Sequence, residues 1–230
     1  MREPVAAASE GSLAEQAYAE IEELIVSGTL PPRSFLSEKQ ISAQIGIGRT
    51  PVREALKRLE IDGLVTVVAS RGIMITEVDV KLLLYVLDVR RELERLIARR
   101  AARFATPSER ERCRGIAKAM LEAARQGDGT RFMHLDQEFN QLLDHSARNP
   151  VAVQTIRPLR SLSRRFWFQN YHTQSGSLKG GAKTHADLML AVARGNADEA
   201  AALSDRLMSN VEEFARATLN YPFEHAADGV

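Results

Sequence analysis

The chain has 230 residues, 44% of them apolar and 27% charged, with 31 basic against 30 acidic side chains. That balance excludes a disordered chain and a uniformly cationic coat, so any basic surface must come from local segregation of charge. The single cysteine, Cys113, excludes an intramolecular disulfide and a Cys-cluster metal site.

Near the middle of the chain the longest apolar run, Leu82 to Leu87, is six residues, far short of a membrane span. Met1-Arg2-Glu3-Pro4 opens no apolar leader segment. With one cysteine, this reads as a cytoplasmic protein. Fourteen glycines and eight prolines are few for an all-β sandwich and suit helices.

In chain order, residues 1–11 are small and polar and read as a disordered tail. A helix starts at Ser12, with Ala17, Ile21, Leu24 and Ile25 on one face and Gly28 closing it. Pro31-Pro32 makes a rigid turn. Ser37-Glu38 starts a second helix with Ile41 and Ile45 inward, and Gly46-Ile47-Gly48 turns the chain. The third helix begins near Thr50, with Pro51 expected at its first position, and buries Val52, Leu56 and Leu59. Asp62-Gly63 ends it. Two β-branched runs, 64–68 and 73–76, predict a hairpin. Three helices and a two-stranded wing make a winged helix-turn-helix order over 12–76.

Beyond Thr76 the pattern is helical throughout, with helices predicted over 79–105, 107–126, 130–146, 150–172, 183–194 and 197–219. The fold class is therefore mainly α: an N-terminal winged helix-turn-helix and, over 77–222, an all-α antiparallel bundle, followed by a short tail at 223–230.

Charge is segregated within the first module. The first 32 residues carry six acids and one base, whereas Arg33 to Arg58 holds six bases and two acids. Arg49, Arg53 and Lys57 lie four apart, opposite the apolar stripe of the third helix. Such a ridge is either a solvated face or a recognition helix, whose arginines hold phosphates or guanine edges. The helix-turn-helix spacing and the wing favour the second.

The run "Leu36-Ser37-Glu38 … Gly48-Arg49-Thr50-Pro51-Val52-Arg53-Glu54-Ala55-Leu56 … Asp62-Gly63-Leu64-Val65 … Ser70-Arg71-Gly72" closely resembles the winged helix-turn-helix of the GntR family of bacterial transcriptional regulators. The resemblance implies DNA contacts from Lys39, Arg49, Thr50 and Arg53, with Arg71-Gly72 at a wing tip in the minor groove. Gly48 departs from the family, which most often has Ser or Thr there, and so lacks a hydroxyl that caps the helix or touches a phosphate.

The second region resembles the FCD ligand-binding domain of the FadR-type branch, on "Arg90-Arg91-Glu92-Leu93-Glu94", "Asp136-Gln137-Glu138-Phe139-Asn140" and "His185-Ala186-Asp187-Leu188". Periodicity adds its own reading. Leu83, Leu87, Arg90, Glu94, Ile97, Ala101 and Phe104 form one stripe with two charges inside it. Arg90 either pairs with Glu94 one turn on or receives a ligand carboxylate. Phe132, Asp136, Phe139 and Leu143 share another stripe beside Asn140, and His185 shares a face with Leu188, Met189 and Val192. His185 reads as a satisfied core histidine or as part of a site.

The resemblance places Arg90, Asp136, Asn140 and His185 in one effector pocket. Relatives often use one Asp and three His for a divalent metal such as zinc or nickel. Here Asn140 stands for the first His, and Leu207 occupies the position of the last. Metal at Asp136, Asn140 and His185 is therefore expected to be weak or absent.

Arg157, Arg160, Arg164 and Arg165 with Phe166, Trp167 and Phe168 have the composition of a nucleic-acid patch, but a long bundle helix with core aromatics and solvated arginines explains them better, some of these residues lining the cavity. No catalytic motif occurs. The expectation is a homodimeric repressor bound to a near-palindromic operator and modulated by an organic acid. The alternatives are a fatty acyl-CoA effector without metal, and an enzyme with a winged-helix docking module.

Overall fold

The computed structural model describes residues 12–170 and 177–220. The expected tails and the last two residues of the helix expected over 150–172 lie outside these residues. Among the described residues lie α1 (Leu13–Val26), β1 (Phe35–Leu36), α2 (Glu38–Ile45), α3 (Arg49–Ile61), β2 (Val65–Val68), β3 (Gly72–Ile75), α4 (Val80–Phe104), α5 (Pro107–Gln126), α6 (Gly129–Ala147), α7 (Pro150–Asn170), α8 (Ser177–Arg194) and α9 (Ala197–Asn220). They form two compact units. One holds the described residues up to Val78 together with Arg164–Gln169; the other holds Asp79–Ser163 and the described residues from Asn170 on. Six residues of α7 thus cluster with the first unit, not with the bundle expected over 77–222.

In the first unit the helix ends follow local chemistry. The Ser12 hydroxyl accepts from the Glu15 amide at the start of α1. Ser37 and Gln40 form a reciprocal capping box at the start of α2, and Gly46 closes that helix in the left-handed region. Gly48 caps α3 without any side-chain bond. Helix α3 starts at Arg49, so Pro51 is its third residue and not its first. The proline is still tolerated, because the first four amides of a helix have no intrahelical partner. Val52, Ala55, Leu56 and Leu59 are buried on the inner face, as the spacing predicts. Leu24 and Ile45 are only half-buried, whereas Ile21, Ile25 and Ile41 are fully enclosed.

The wing is a three-stranded antiparallel sheet in the order β1-β3-β2. Strand β1 was not anticipated, since two residues carry no period. Phe35 faces Met74 and Leu36 faces Ile73. Gly72 has φ +97, and a Cβ there would lie 2.6 Å from the Leu36 carbonyl oxygen. Both facts demand glycine at this position.

In the second unit α4 packs on α9, α6 and α8, and α5 on α8 and α6. The predicted α4 stripe is buried from Leu83 to Ala101, but Phe104 is half exposed, its ring under the Arg100 guanidinium. At the last turn of a helix the inward row has run past the neighbouring helices. Helix α8 begins at Ser177, six residues before the predicted start, so the expected loop 173–182 is helical from there on. Gly180-Gly181 lie within this helix, since glycine lowers helix propensity by only about 1 kcal/mol, which packing overrides.

Gly72→Ala is expected to lower the stability of the first unit by about 2 kcal/mol or more, since it adds both backbone strain and a clash. Thermal unfolding followed by circular dichroism checks this; an unchanged midpoint would mean that the β1–β3 contact gives way freely.

Candidate functional site

The first unit carries a groove of about 580 Å³ framed by the start of α2, the outer face of α3 and the wing. Lys39, Arg49, Arg53, Lys57 and Gly72 line it, together with Glu38 and Glu60. Thr50 is exposed in the first turn of α3, and Arg71 is exposed at the turn between β2 and β3, its guanidinium 6.0 Å above the Phe35 ring. Of the predicted DNA contacts, four therefore share one groove, and two stand at its exposed margins.

The charges divide by partner. Lys39, Arg49 and Lys57 make no ion pair among the described residues. Arg53 donates Nε and a terminal nitrogen to the two Glu38 oxygens at 2.9 and 2.7 Å. Arg53 holds the Glu38 carboxyl below the usual range, and Arg49 and Lys57 add to that. Arg58, next in sequence to Lys57, points elsewhere: it pairs with Glu15 at 2.7 Å and stacks 4.6 Å from the Tyr18 ring centre. The Glu60 carboxylate accepts from the Val67 amide and ties the end of α3 to β2.

In the second unit, Arg90 donates Nε to Glu94 at 3.0 Å. Arg160 from α7 takes the same carboxylate in a bidentate grip at 2.8 and 2.7 Å, and gives its remaining terminal nitrogen to Asp144 at 2.7 Å. Burial works against the Glu94 charge, but Arg160 and Arg90 outweigh it and hold the carboxyl down at about 2. Burial pushes Asp144 up despite Arg160. Neither terminal nitrogen of Arg90 has a partner among the described residues.

His185 is half-buried near this cluster. Its Nδ1 lies 2.8 Å from the Gly181 carbonyl and its Nε2 3.0 Å from an Asp136 oxygen. Both neighbours are acceptors, so both ring nitrogens must donate, and the ring is an imidazolium. Burial opposes that charge; the Asp136 hydrogen bond and charge overcome it, and the net shift is upward. Asn140 donates to the other Asp136 oxygen at 3.1 Å, and Phe132 meets the His185 ring edge-on.

The four predicted effector residues are thus brought near one another, and Asp136 is bonded to both Asn140 and His185. As a metal centre the set fits poorly. It offers one carboxylate, one amide and one imidazole whose nitrogens both face acceptors. Among the described residues no three of His, Cys, Asp and Glu converge as a metal site. Leu207 supplies no donor.

Two residues that shape these sites were missed. Arg160 was read as solvated, yet Arg160, Arg164 and Arg165 are buried. The signal was present: Ala152, Ile156, Arg160 and Ser163 follow the same inward spacing that singled out Arg90. Glu38 was counted only as an acid, because nothing local announces a partner fifteen residues on.

Glu94→Gln is expected to destabilise the chain by about 3–5 kcal/mol, because it leaves two buried guanidiniums facing a neutral amide. The wild-type carboxylate contributes stability above its ordinary value of 4.5, and that contribution is lost as pH falls toward about 2. Acid unfolding of the two proteins should therefore converge in this window; parallel curves would mean that the clamp is not felt. His185 has the opposite sign. The Asp136–His185 pair is fully formed below the ordinary histidine value and is lost as pH rises through the raised one. The stability gap between wild type and His185→Gln should shrink as pH rises above the ordinary histidine value of 6.5 and through the raised one. A gap that widens would refute the imidazolium assignment.

Residues 13–75 match the family described as bacterial regulatory proteins, gntR family, and residues 85–210 match the FCD domain. The HTH-type transcriptional repressor RspR of Escherichia coli K12 is 25% identical over 203 residues, covering 88% of each chain. The HTH-type transcriptional regulator McbR of the same organism is 26% identical over 148 residues, covering 64% of this chain and 67% of McbR. The solved structure of E. coli McbR/YncC has the same fold, with a TM-score of 0.80, 21% identity, and coverage of 91% of this chain and 100% of that one. No helix among the described residues is long and apolar enough to cross a membrane. The chain belongs to the GntR family of bacterial transcriptional regulators and carries, after its winged helix-turn-helix, the FCD domain.

Proposed function

We propose that this regulator is a cytoplasmic, homodimeric repressor that binds a near-palindromic operator through the groove of its first unit, and that an organic acid held in the second unit modulates this binding. The observation that carries the DNA reading is the set of three cations, Lys39, Arg49 and Lys57, that share one groove without an ion pair. Cations without ion pairs on two adjoining helices suit phosphates and base edges. One such helix reads only a few base pairs, so a two-fold pair of readers is the usual solution. The repressor reading draws on the name of RspR.

For the effector, the support is Arg90. Its terminal nitrogens are uncommitted among the described residues, its charge is felt at His185, and Glu94 holds the guanidinium by its Nε. A planar carboxylate suits that fork. Asp136, Asn140 and His185 would have to break their mutual bonds to hold zinc or nickel, so tight metal is not part of this reading.

The first test uses an operator selected by the wild-type chain from a random duplex library. Arg49→Ala is expected to lower affinity for it by about 1–3 kcal/mol with unchanged folding; a footprint like wild type would remove α3 as the reader. Sedimentation should give a dimer at micromolar concentration, and a monomer with and without operator would contradict the pairing. For the effector, a panel of organic acids is screened by thermal shift, since a bound ligand raises the melting temperature by mass action. The shift seen in wild type should vanish in Arg90→Ala; if it persists, Arg90 serves only Glu94.

A further inference from the structure

Within the positive groove stands one acid whose geometry is specific. Glu38 is the first residue of α2, on a turn fixed by the Ser37–Gln40 capping box. From there its carboxylate spans to α3 and takes Nε and one terminal nitrogen of Arg53, fifteen residues away. An acid placed beside Arg49, Arg53 and Lys57 lowers the potential that attracts phosphate, so it does not serve general affinity for DNA. A negative charge also suits a helix N-terminus, but the helix dipole asks only for charge and not for two parallel hydrogen bonds to a neighbouring helix.

The arginine side chain is 60% exposed and would otherwise sample many rotamers. The grip on one edge fixes its guanidinium plane. The opposite edge, the other terminal nitrogen and the outward hydrogen of the shared one, has no partner among the described residues. That edge is a fork of the shape that matches guanine O6 and N7.

We propose that Glu38 is a positioning residue for base readout: it orients Arg53 for a base edge and reduces its hold on phosphate, which raises discrimination while lowering affinity for unspecific DNA. The proposal rests on the DNA-binding reading above and deepens it.

The test compares wild type, Glu38→Gln, Glu38→Asp, Arg53→Ala and the double variant Glu38→Gln/Arg53→Ala. Binding is measured to the library-selected operator and to calf-thymus DNA across a salt series, with unfolding curves to confirm the fold. Glu38→Gln should bind calf-thymus DNA more tightly, with a steeper salt dependence, and its ratio of specific to unspecific affinity should fall about tenfold. Glu38→Asp keeps the charge at the helix end but is one methylene too short, and should lose the ratio as well. In the Arg53→Ala background the Glu38→Gln change should leave the ratio alone.

If the wild-type chain enriches no sequence from the library, the DNA reading fails and this proposal with it. If a site is enriched but Glu38→Gln keeps the wild-type ratio, the proposal alone is overturned. It is overturned too if Glu38→Asp behaves as wild type, which would assign the effect to charge at the helix end, or if the ratio falls equally without Arg53.

Discussion

A charge taken out of water must be matched within reach, because an unmatched one costs several kcal/mol. Glu94 is where this constraint bears hardest on the second unit. Two arginines from different helices converge on its carboxylate, and the rest of the Arg160 guanidinium goes to Asp144. The polar groups thereby fix how α4, α6 and α7 meet. Apolar packing alone tolerates slippage more readily than bidentate bonds do. The same rule shapes the Asp136–His185 pair, where a ring between two acceptors must carry two protons. Within the cluster of Arg90, Glu94, Arg160 and Asp144, the terminal nitrogens of Arg90 are left without a hydrogen-bond partner among the described residues.

On the surface of the first unit the constraint relaxes, and the pattern inverts. Water solvates Lys39, Arg49 and Lys57, so they persist without partners and leave a concentrated positive groove on a chain whose net charge is only +1. The adjacent residues Lys57 and Arg58 show the division. One lies on the groove; the other is spent on Glu15 and Tyr18, holding α1 to α3. Glu38 lies between the two regimes, an acid that matches one cation and leaves the rest.

Much of this was legible before any coordinates. Glycines at 28, 46 and 63, the capping serines and the apolar rows marked α1 to α3 to within a residue or two, because local chemistry decides those ends. The α4 and α6 rows also placed Arg90, Asp136 and Asn140 correctly on inward or half-inward faces. What was not legible depends on pairing across the chain. Strand β1 exists only because β3 is beside it. Arg160, Arg164 and Arg165 looked solvated because charge is a surface signal until a buried partner is known. The early start of α8 reflects packing that overrides two glycines. Whether Arg90 chose Glu94 or a ligand could not be read from spacing, and the structure shows why: one edge goes to the glutamate and the other does not.

The central claim is that the cations of the groove without an ion pair are the ones that hold phosphate. Adjacent substitutions, Lys57→Ala and Arg58→Ala, test it directly through the salt dependence of binding to calf-thymus DNA. The account predicts that Lys57→Ala lowers the slope of log affinity against log salt by about 1, while Arg58→Ala leaves it unchanged once its folded fraction is matched to wild type. Equal slopes for the two variants, or a loss confined to Arg58→Ala, would contradict it.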